Sequence, residues 1–589
     1  MRTGGVFLLA VSAASGALVA RVPTGGTLWI LSAVSVAWMV AGGRRVLPLL
    51  LLPGLVVSTL AARAWDGTTD AGSGMVDGVV RLVGDPKSLP GGGWRVEVMI
   101  DGRHLDAEFG AAHIEVEELL AGEGVTITGR IDATPRRWQR VRHVGGTLTV
   151  LSAGPVHPAG PISGMANLLR RTLSKGAEPL GEEASALLGG LVVGDDRAQG
   201  DRTSDDFRAA GLGHLLAVSG QNVAFVLAAA GPLIYRLRFR YRLPLAILLL
   251  GFFALVTRFE PSVLRATVMA GGSALAAARG RTVGGMRLLS ASVLVLLLLD
   301  PLLIHRAAFQ LSVAASAGIL LAARPLADVL PGPKMLKEAA GVTLAAQAAV
   351  APLLLARFGP VPVAALPANL LAAPVAGPLM IWGITGGLLA GVLGPPMDWV
   401  LHIPSAVGLW WIAAVAGWAG RWSLGLLGGP AGLSVTAAVG AIAVLAVRGA
   451  LTAARRLLLA LFAALTVVAA LTAMDHPGVG VMDGVRILDQ RGSVVAVDRA
   501  PSARRLLEEL RARGVSYPEL IVFREPLAPG LADALRDRYG DVLLVGPPGS
   551  VGAEIPDDET VLEVAGEAWL LDLGSGILSL RRLGSGSTR

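Results

Sequence analysis

The chain has 589 residues with a mean hydropathy of +0.61, and charged residues make up only 16% of it. That fraction lies well below the roughly 25% of soluble domains, so an ordinary water-soluble protein is excluded. There are no cysteines, which excludes disulfides, thiolate nucleophiles, iron–sulfur clusters and cysteine-based zinc sites. The formal net charge of +7 comes mostly from arginines at the ends of apolar segments, a pattern typical of cytoplasmic loops.

Apolar runs recur between residues 6 and 473, most of them near the length that crosses a hydrocarbon core of about 30 Å. The first three occupy about residues 6–19, 28–40 and 46–64. Arg44 and Arg45 follow the second run and indicate a cytoplasmic loop, so the third span is predicted to end outside. The whole chain is predicted to be a polytopic α-helical membrane protein with roughly 13 spans.

A polar region follows the third span. Hydrophobic and polar residues alternate with a period of two in four runs separated by Gly, Pro and Asp turns, which predicts a small extracytoplasmic β-barrel domain. The runs are residues 78–83, 94–100, 125–131 and 145–151. The next segment is amphipathic, with Gly190 and Gly194 at the spacing of close helix packing, and is predicted to form interfacial helices.

Arginine-rich connections divide the later apolar runs, and all of them are predicted to be cytoplasmic. They are residues 236–242, 279–287, 324–337 and 448–456. This arrangement requires the proline-punctuated residues 362–374 not to cross the membrane, so they are predicted to be a re-entrant or broken segment. After the last span the chain is polar, and strand-like runs alternate with helix-like runs, which predicts an extracytoplasmic α/β domain.

The predicted organisation therefore has five parts. They are N-terminal membrane helices (1–65), an extracytoplasmic β domain (66–155), interfacial helices (156–206), a central membrane domain (207–473) and a C-terminal α/β domain (474–589).

Residues 207–225 interrupt an apolar run with glycines and uncharged hydrogen-bonding groups. Hydrocarbon penalises such groups unless they face a cavity or a partner helix. Ser219 and Asn222, three residues apart, are predicted to share one face of a helix. Two interpretations stay open, namely lining of a cavity and hydrogen bonding between packed helices.

This segment resembles the ComEC competence-family signature GL-x-HLLAVSG, here at residues 211–220. Three further elements of that family follow in order. They are Pro261–Ala266 as PSxxRA, Asp300-Pro301 with Phe309–Ser312 as DP…FQLS, and Gln347, Pro352, Phe358-Gly359, Asn369-Leu370 and Pro374 as Q…P…FG…NL…P. The resemblance implies a channel that conducts one DNA strand inward in natural transformation, with an OB fold for the outer β domain. It also implies a DNA receptor and a cytoplasmic helicase or ATPase as partners, and leaves a homo-oligomer open.

Eight polar or small residues of these elements are predicted to line the DNA path. They are His214, Ser219, Gly220, Gln221, Asn222, Arg265, Gln310 and Asn369. Competing interpretations are that Arg265 extends to the membrane interface and that His214 is a satisfied helix-end histidine. A basic patch on the outer domain is the candidate single-stranded DNA site, with a solvated strand edge as the alternative. It comprises Arg136, Arg137, Trp138, Arg140 and Arg142.

The C-terminal domain resembles a reduced form of the metallo-β-lactamase-like domain found in many family members. Its second strand continues into residues 524–529 without histidine, and His476 is the only histidine after the last span. No P-loop, nucleophile elbow or zinc-protease pair occurs in the chain. The sequence therefore predicts no catalytic residue, metal or cofactor. The alternatives are a membrane-anchored nuclease that acts on the non-transported strand and a secondary transporter with broken helices.

Overall fold

The computed structural model describes residues 3–19, 47–67, 72–89, 93–110, 114–358 and 361–421, and short segments between 426 and 582. The predicted spans at 28–40 and 457–473, together with Arg44, Arg45 and His476, lie outside the described residues. The described helices are α1 (Thr3–Val19), α2 (Leu47–Asp66), α3 (Arg137–Arg140), α4 (Pro161–Ala177), α5 (Glu182–Val193), α6 (Asp201–Ala209), α7 (Gly220–Arg236), α8 (Phe239–Val256), α9 (Pro261–Ala278), α10 (Gly285–Leu299), α11 (Ala307–Val329), α12 (Lys334–Arg357), α13 (Ala365–Leu393), α14 (Met397–Arg421) and α15 (Leu531–Tyr539).

Five of these helices, α8, α11, α12, α13 and α14, are long and apolar enough to cross a membrane. Shorter apolar stretches occupy Val6–Leu18 and Gly285–Leu299. The chain is therefore a multi-pass membrane protein, and the total of 13 spans stays a prediction. The prediction that residues 362–374 form a re-entrant or broken segment is wrong. Residues 365–374 are the first turns of α13, a helix that runs unbroken through Pro374 and Pro378 and is long and apolar enough to cross a membrane.

The polar region after α2 folds as predicted into a barrel-like sheet. Its strands are β1 (Gly74–Leu82), β2 (Lys87–Ser88), β3 (Trp94–Ile100), β4 (Arg103–Phe109), β5 (Gly124–Asp132) and β6 (Thr147–His157). They lie in the order β1-β5-β6-β4-β3-β2, and an additional pairing of β1 with β3 closes the sheet. Alternate residues such as Val96, Val98 and Ile100 point into one apolar core. The OB designation stays a prediction.

The β domain packs against one end of the helix bundle. Arg258, directly after α8, bonds Asp85 in the β1–β2 connection, and Asp300, directly after α10, bonds His143 in the α3–β6 connection. Since consecutive helices alternate in direction, the α7–α8, α9–α10 and α11–α12 connections lie at the opposite end. These are three of the arginine-rich connections that the sequence assigns to the cytoplasm.

Helix α4 lies in a groove made of glycine backbone. A Cβ on Gly391 of α13 would come within 1.9 Å of the Thr172 carbonyl oxygen, and one on Gly176 within 2.5 Å of the Gly391 nitrogen. Gly387, one turn earlier, leaves room for Leu173. Absence of side chains at these positions brings the two helix backbones into contact, which is how helices associate where lipid supplies no hydrophobic driving force.

Beyond α14 the described segments include two sheets and the short strand β8 (Leu426–Leu427). This strand pairs antiparallel with β7 (Val361–Pro362), which lies in the connection before α13. The first sheet contains β9 (Gly480–Met482), β10 (Val485–Ile487), β11 (Val494–Val497), β12 (Leu520–Phe523) and β13 (Leu543–Val545), and the second β14 (Glu559–Val564), β15 (Glu567–Asp572) and β16 (Ser579–Arg582). The pairs β11–β12 and β12–β13 are parallel and α15 lies between β12 and β13, as an α/β domain requires. Its likeness to a metallo-β-lactamase stays a prediction.

Candidate functional site

The signature segment places its polar groups at the start of α7. Ser219 is the N-cap, and its Oγ accepts a hydrogen bond from the Gln221 backbone N–H at 3.2 Å. The same hydroxyl donates to Asn222 Oδ1 at 3.1 Å, and Asn222 Nδ2 donates to the Leu191 carbonyl at 2.8 Å. Asn222 is fully buried. In this arrangement the asparagine joins α7 to α5, whereas the neighbouring Gln221 side chain is exposed.

Gly220 brings α7 against α9. A Cβ at this position would lie 2.6 Å from Arg265 Nη2 and 3.0 Å from the Ala266 Cβ, so only glycine permits the approach without displacement. Arg265 is 7% exposed, and its Nε donates to Ser312 Oγ of α11 at 2.8 Å. Three of the four family elements therefore meet at one guanidinium, through Gly220 of the signature, Arg265 of PSxxRA and Ser312 of FQLS.

The Arg265 guanidinium has no carboxylate partner among the described residues. Its Nη1 lies 3.0 Å from Met269 Sδ, which is a weak acceptor, and Nη2 forms no hydrogen bond within the described part of the chain. A buried charge is costly unless it is paired. The N-terminus of α7, which begins at Gly220, adds partial positive charge next to it. The combination suits an anion such as a phosphate group, which arginine binds through several N–H donors.

The remaining predicted path residues lie apart from this guanidinium contact. Gln310 Nε2 donates to the Ile304 carbonyl at 2.5 Å, just before α11. Asn369 Nδ2 donates to the Ala365 carbonyl at 2.7 Å within α13 and lies 3.4 Å from the carbonyl of Gly211. The fourth family element thus contacts the first residue of the signature. His214 is exposed in the turn between α6 and α7. Participation of all eight residues in a DNA path stays a prediction.

The side chains of the basic patch on the β domain are partly engaged in structural contacts. Arg142 binds the buried Asp106 carboxylate at 2.8 Å, and Arg140 donates to the Trp65 carbonyl at 2.8 Å. Trp138 is 43% exposed and has the Arg142 guanidinium 4.9 Å from its ring centre. Arg136 and Arg137 are exposed. Arg142 therefore stabilises the domain, Arg140 links it to α2, and the other three predicted DNA-binding residues face solvent.

A buried ion network, which the sequence did not reveal, joins the β domain to the membrane helices. Arg170 Nη2 lies 2.9 Å from Asp85 Oδ2 and 3.0 Å from Asp195 Oδ2. Arg258 Nη2 lies 2.8 Å from Asp85 Oδ1, and Arg197 Nε lies 2.7 Å from Asp195 Oδ1. The only signal in the sequence was the amphipathic character of α4, in which Arg170 resembles an ordinary interfacial arginine.

Electrostatics in this network favour the ionised carboxylates. Burial alone raises the pKa of Asp85, but the charges of Arg170 and Arg258 outweigh it and hold that pKa below its usual range. For Asp195, burial again raises the pKa, while hydrogen bonds from Arg197 and the charge of Arg170 lower it to a well-depressed value. Each aspartate therefore stays ionised and paired at neutral pH.

A second unpredicted contact involves the DP element. His143 Nε2 lies 2.9 Å from Asp300 Oδ1, and the same carboxylate accepts a hydrogen bond from the Leu302 backbone N–H at 3.0 Å. Arg306 lies 3.8 Å from the other Asp300 oxygen. The aspartate of this family element thus caps the turn before α11 and also holds the β domain.

The C-terminal domain contacts the membrane domain through an ion pair of its own. Arg538 of α15 bonds the carboxylates of Asp205 and Asp206 on α6, directly before the signature segment. Asp205 is 4% exposed. Across the residues that the structure describes, no group of three or more His, Cys, Asp or Glu side chains is placed to hold a metal ion.

Comparison with known proteins places the central region in context. The model of the family "Competence protein" matches residues 191–469. The "ComE operon protein 3" of Bacillus subtilis (strain 168) is 32% identical over 217 residues, which is 36% of this chain and 26% of that protein. The chain thus covers about a quarter of that relative's length. No solved structure is significantly similar to the chain.

Proposed function

Because the central membrane region, residues 191–469, belongs to the competence protein family, we propose that this protein conducts single-stranded DNA across the cytoplasmic membrane in natural transformation. The observation that carries the proposal is Arg265, a buried guanidinium without a carboxylate partner in the described chain, at the junction of three family elements. Phosphodiester groups of a passing strand supply the missing negative charge one after another.

The arrangement of the ends of the bundle supports an orientation with the β domain outside, which suits inward transport. The arginine-rich connections lie at the end opposite the β domain, and such connections are retained in the cytoplasm. The β domain is then extracytoplasmic, where Arg136, Arg137 and Trp138 are exposed to an arriving strand. A separate DNA receptor on that side and a cytoplasmic helicase or ATPase are the partners that this function requires.

The C-terminal domain is proposed to have a docking role and no hydrolytic role. Support comes from the contact of Arg538 with Asp205 and Asp206, which places the domain against the helix that leads into the signature. The alternative is a nuclease that degrades the non-transported strand. Metal-dependent cleavage of DNA by the purified full-length protein, abolished by a chelator and absent from a mock preparation, would favour that alternative.

The test of transport is deletion of the gene followed by uptake of labelled DNA, with DNA bound outside and DNA inside scored separately. Deletion is expected to abolish the inside signal. Arg265→Gln is expected to reduce it at least about tenfold, because one charge-assisted contact contributes about 1.5–3 kcal/mol. Gly220→Ala keeps the charge but displaces Nη2, so it is expected to impair entry too.

The matched control is Arg281→Gln, an exposed arginine in the α9–α10 connection, which should transport normally. Membrane levels of each variant are measured by immunoblot. Normal entry of DNA with Arg265→Gln at normal protein level would contradict the role of Arg265. Normal entry in the deletion strain would contradict the transport function itself.

A further inference from the structure

The end of α7, the two-residue connection and the first turn of α8 interleave aromatic and basic residues. Residues 235–242, Tyr-Arg-Leu-Arg-Phe-Arg-Tyr-Arg, contain four arginines, three aromatic residues and no acidic residue. We call this segment the aromatic–arginine loop. It lies at the far end of α7 from Gly220 and Arg265, so the helix that begins at the candidate site leads directly to it.

Its side chains are available to a ligand. Tyr235 is 74% exposed, Phe239 63% and Tyr241 48%. The loop's free cations are also exposed, and within the described part of the chain none of them forms an ion pair. These are Arg236, Arg238 and Arg240.

The fourth arginine shapes the loop. Arg242 Nη2 donates to the Tyr235 carbonyl at 2.9 Å, and its Nε donates to the Leu237 carbonyl at 3.1 Å. Its guanidinium lies 5.7 Å from the Tyr235 ring centre, and that of Arg240 lies 4.7 Å from the Tyr241 ring centre. These contacts hold the backbone of a tight turn, so the rings are presented outward rather than packed into the bundle.

Retention of positive charge in the cytoplasm does not explain this composition. The segment around the α9–α10 connection, residues 279–287, contains Arg279, Arg281 and Arg287, and the first turn of α12 contains Lys334 and Lys337. Neither segment has an aromatic residue. The positive charge of those loops is what the retention of cytoplasmic loops requires. Among the arginine-rich connections, only the aromatic–arginine loop combines charge with rings, which is the composition of sites that bind single strands by stacking and phosphate contact.

We propose that the aromatic–arginine loop is a binding site for single-stranded DNA at the cytoplasmic end of α7, where an emerging strand is held. Arg236, Arg238 and Arg240 contact phosphates, and bases stack on the exposed rings of Phe239 and its two tyrosine neighbours. The location on the cytoplasmic face rests on the proposed transport function, whereas binding itself is measurable without transport.

The test uses the full chain in nanodiscs of zwitterionic lipid and a fluorescein-labelled oligothymidine, with anisotropy read at several salt concentrations. All proteins carry R136Q and R137Q to reduce binding at the outer domain. The triple variant Y235L/F239L/Y241L is expected to bind about tenfold more weakly or worse, with an unchanged salt dependence, because it loses stacking only. R236Q/R238Q/R240Q is expected to lower the slope of log affinity against log salt by about 2, since each phosphate contact contributes about 0.7.

The matched control, R279Q/R281Q, removes charge from the same face and is expected to bind like the parent. Equal weakening by this control would overturn the proposal, because binding would then follow net charge alone. Parental binding by both loop variants would also overturn it. If the loop variants lost thermal stability only in nanodiscs of anionic lipid, the proposal would also be overturned, and the loop would be assigned to the binding of lipid headgroups. The single change Phe239→Leu, at an exposed ring, repeats the test should the triple variant fail to fold.

Failure here and failure of transport are distinguishable. A deletion strain that still imports DNA contradicts the transport function, whatever the loop binds. If the loop variants bind oligothymidine as tightly as the parent, only the inference about the aromatic–arginine loop is contradicted.

Discussion

Asn222 and Gln221 are neighbours in sequence with opposite environments. The structure buries Asn222 completely and leaves the Gln221 side chain exposed. Asn222→Leu would leave the Leu191 carbonyl and the Ser219 hydroxyl without this partner, at a cost of about 1–3 kcal/mol for each buried group left unsatisfied. We expect a lower thermal midpoint for the solubilised Asn222→Leu protein.

Gln221→Leu is the matched control, and its thermal midpoint is expected to stay close to that of the parent. If Asn222→Leu melts like the parent while DNA entry is lost, the hydrogen bond to α5 is unimportant and the residue acts in the path. The sequence placed Ser219 and Asn222 on one face of a helix but left cavity lining and helix contact equally open. A choice between them required the position of α5, which no local pattern contains.

Among the elements, the ion network around Asp85 joins four parts of the chain: the β1–β2 connection, α4, the α5–α6 connection and the end of α8. Asp85→Asn removes the charge that both Arg170 and Arg258 face. Loss of one partner from a buried pair costs about 3–5 kcal/mol. We expect faster hydrogen exchange across residues 72–157, because the β domain loses its main attachment to the helices.

Lys87→Gln is the control for that experiment. It removes an ion pair with Asp196 whose side chains are 66% and 47% exposed, and such surface pairs contribute about 0–1 kcal/mol. Exchange in the β domain should therefore remain near the parental rate. An equal increase in hydrogen exchange in both variants would show that burial of the Asp85 ion pairs adds nothing to the stability of the β domain.

The same network predicts a dependence of stability on pH. The folded-state pKa values of Asp85 and Asp195 are lowered from a usual value near 4, so their pairing stabilises the protein above that value. The stabilisation is lost as pH falls below about 4 toward the lowered values, when both carboxylates become protonated. We expect the thermal midpoint of the parent to fall in this acidic window and that of Asp85→Asn to fall less. An equal fall in the thermal midpoints of the parent and Asp85→Asn would contradict the role of Asp85 in this pH dependence.

Elements that follow from local patterns were predicted well, and contacts between elements were not. Alternation of apolar residues located the strand Trp94–Ile100, because a strand with one buried face repeats every two residues. A short continuous apolar run located Val494–Val497, whose four residues are all buried. In the sequence, Arg170 and Arg142 each look like an ordinary surface arginine. Their acidic partners, Asp85 and Asp106, lie far away in sequence, so only the folded chain could pair them.

Across the whole molecule, Arg538 couples the C-terminal domain to α6. Arg538→Glu would place three negative charges together, and we expect the domain to become more accessible to limited proteolysis. Combining it with Asp206→Arg restores an opposite-charge pair and should recover protection. Absence of recovery would show that the ion pair does not hold the domain, since a double change of this kind isolates the pairwise contact.

The orientation of the protein in the membrane is a further prediction. The β domain contacts the end of the bundle that carries Arg258 and Asp300, and the C-terminal domain contacts α6. Both domains are expected outside the cytoplasm. A reporter that is active only in the cytoplasm should be silent when fused after Ser152 or Asp483. The same reporter should be active after Gly280, in the opposite connection. Activity at Ser152 together with silence at Gly280 would invert the orientation.

The contact between α4 and the glycines of α13 also sets limits on how this protein can change over time. Alanine at Gly391 would put a methyl group 1.9 Å from the Thr172 carbonyl oxygen, which two packed backbones cannot absorb. Leu389, two residues away, is 47% exposed and meets no such barrier. Substitutions at Gly391 should therefore be rare among related proteins, and substitutions at Leu389 should be frequent. Related proteins should keep glycine at the positions of α13 that contact α4 after the surrounding residues have diverged.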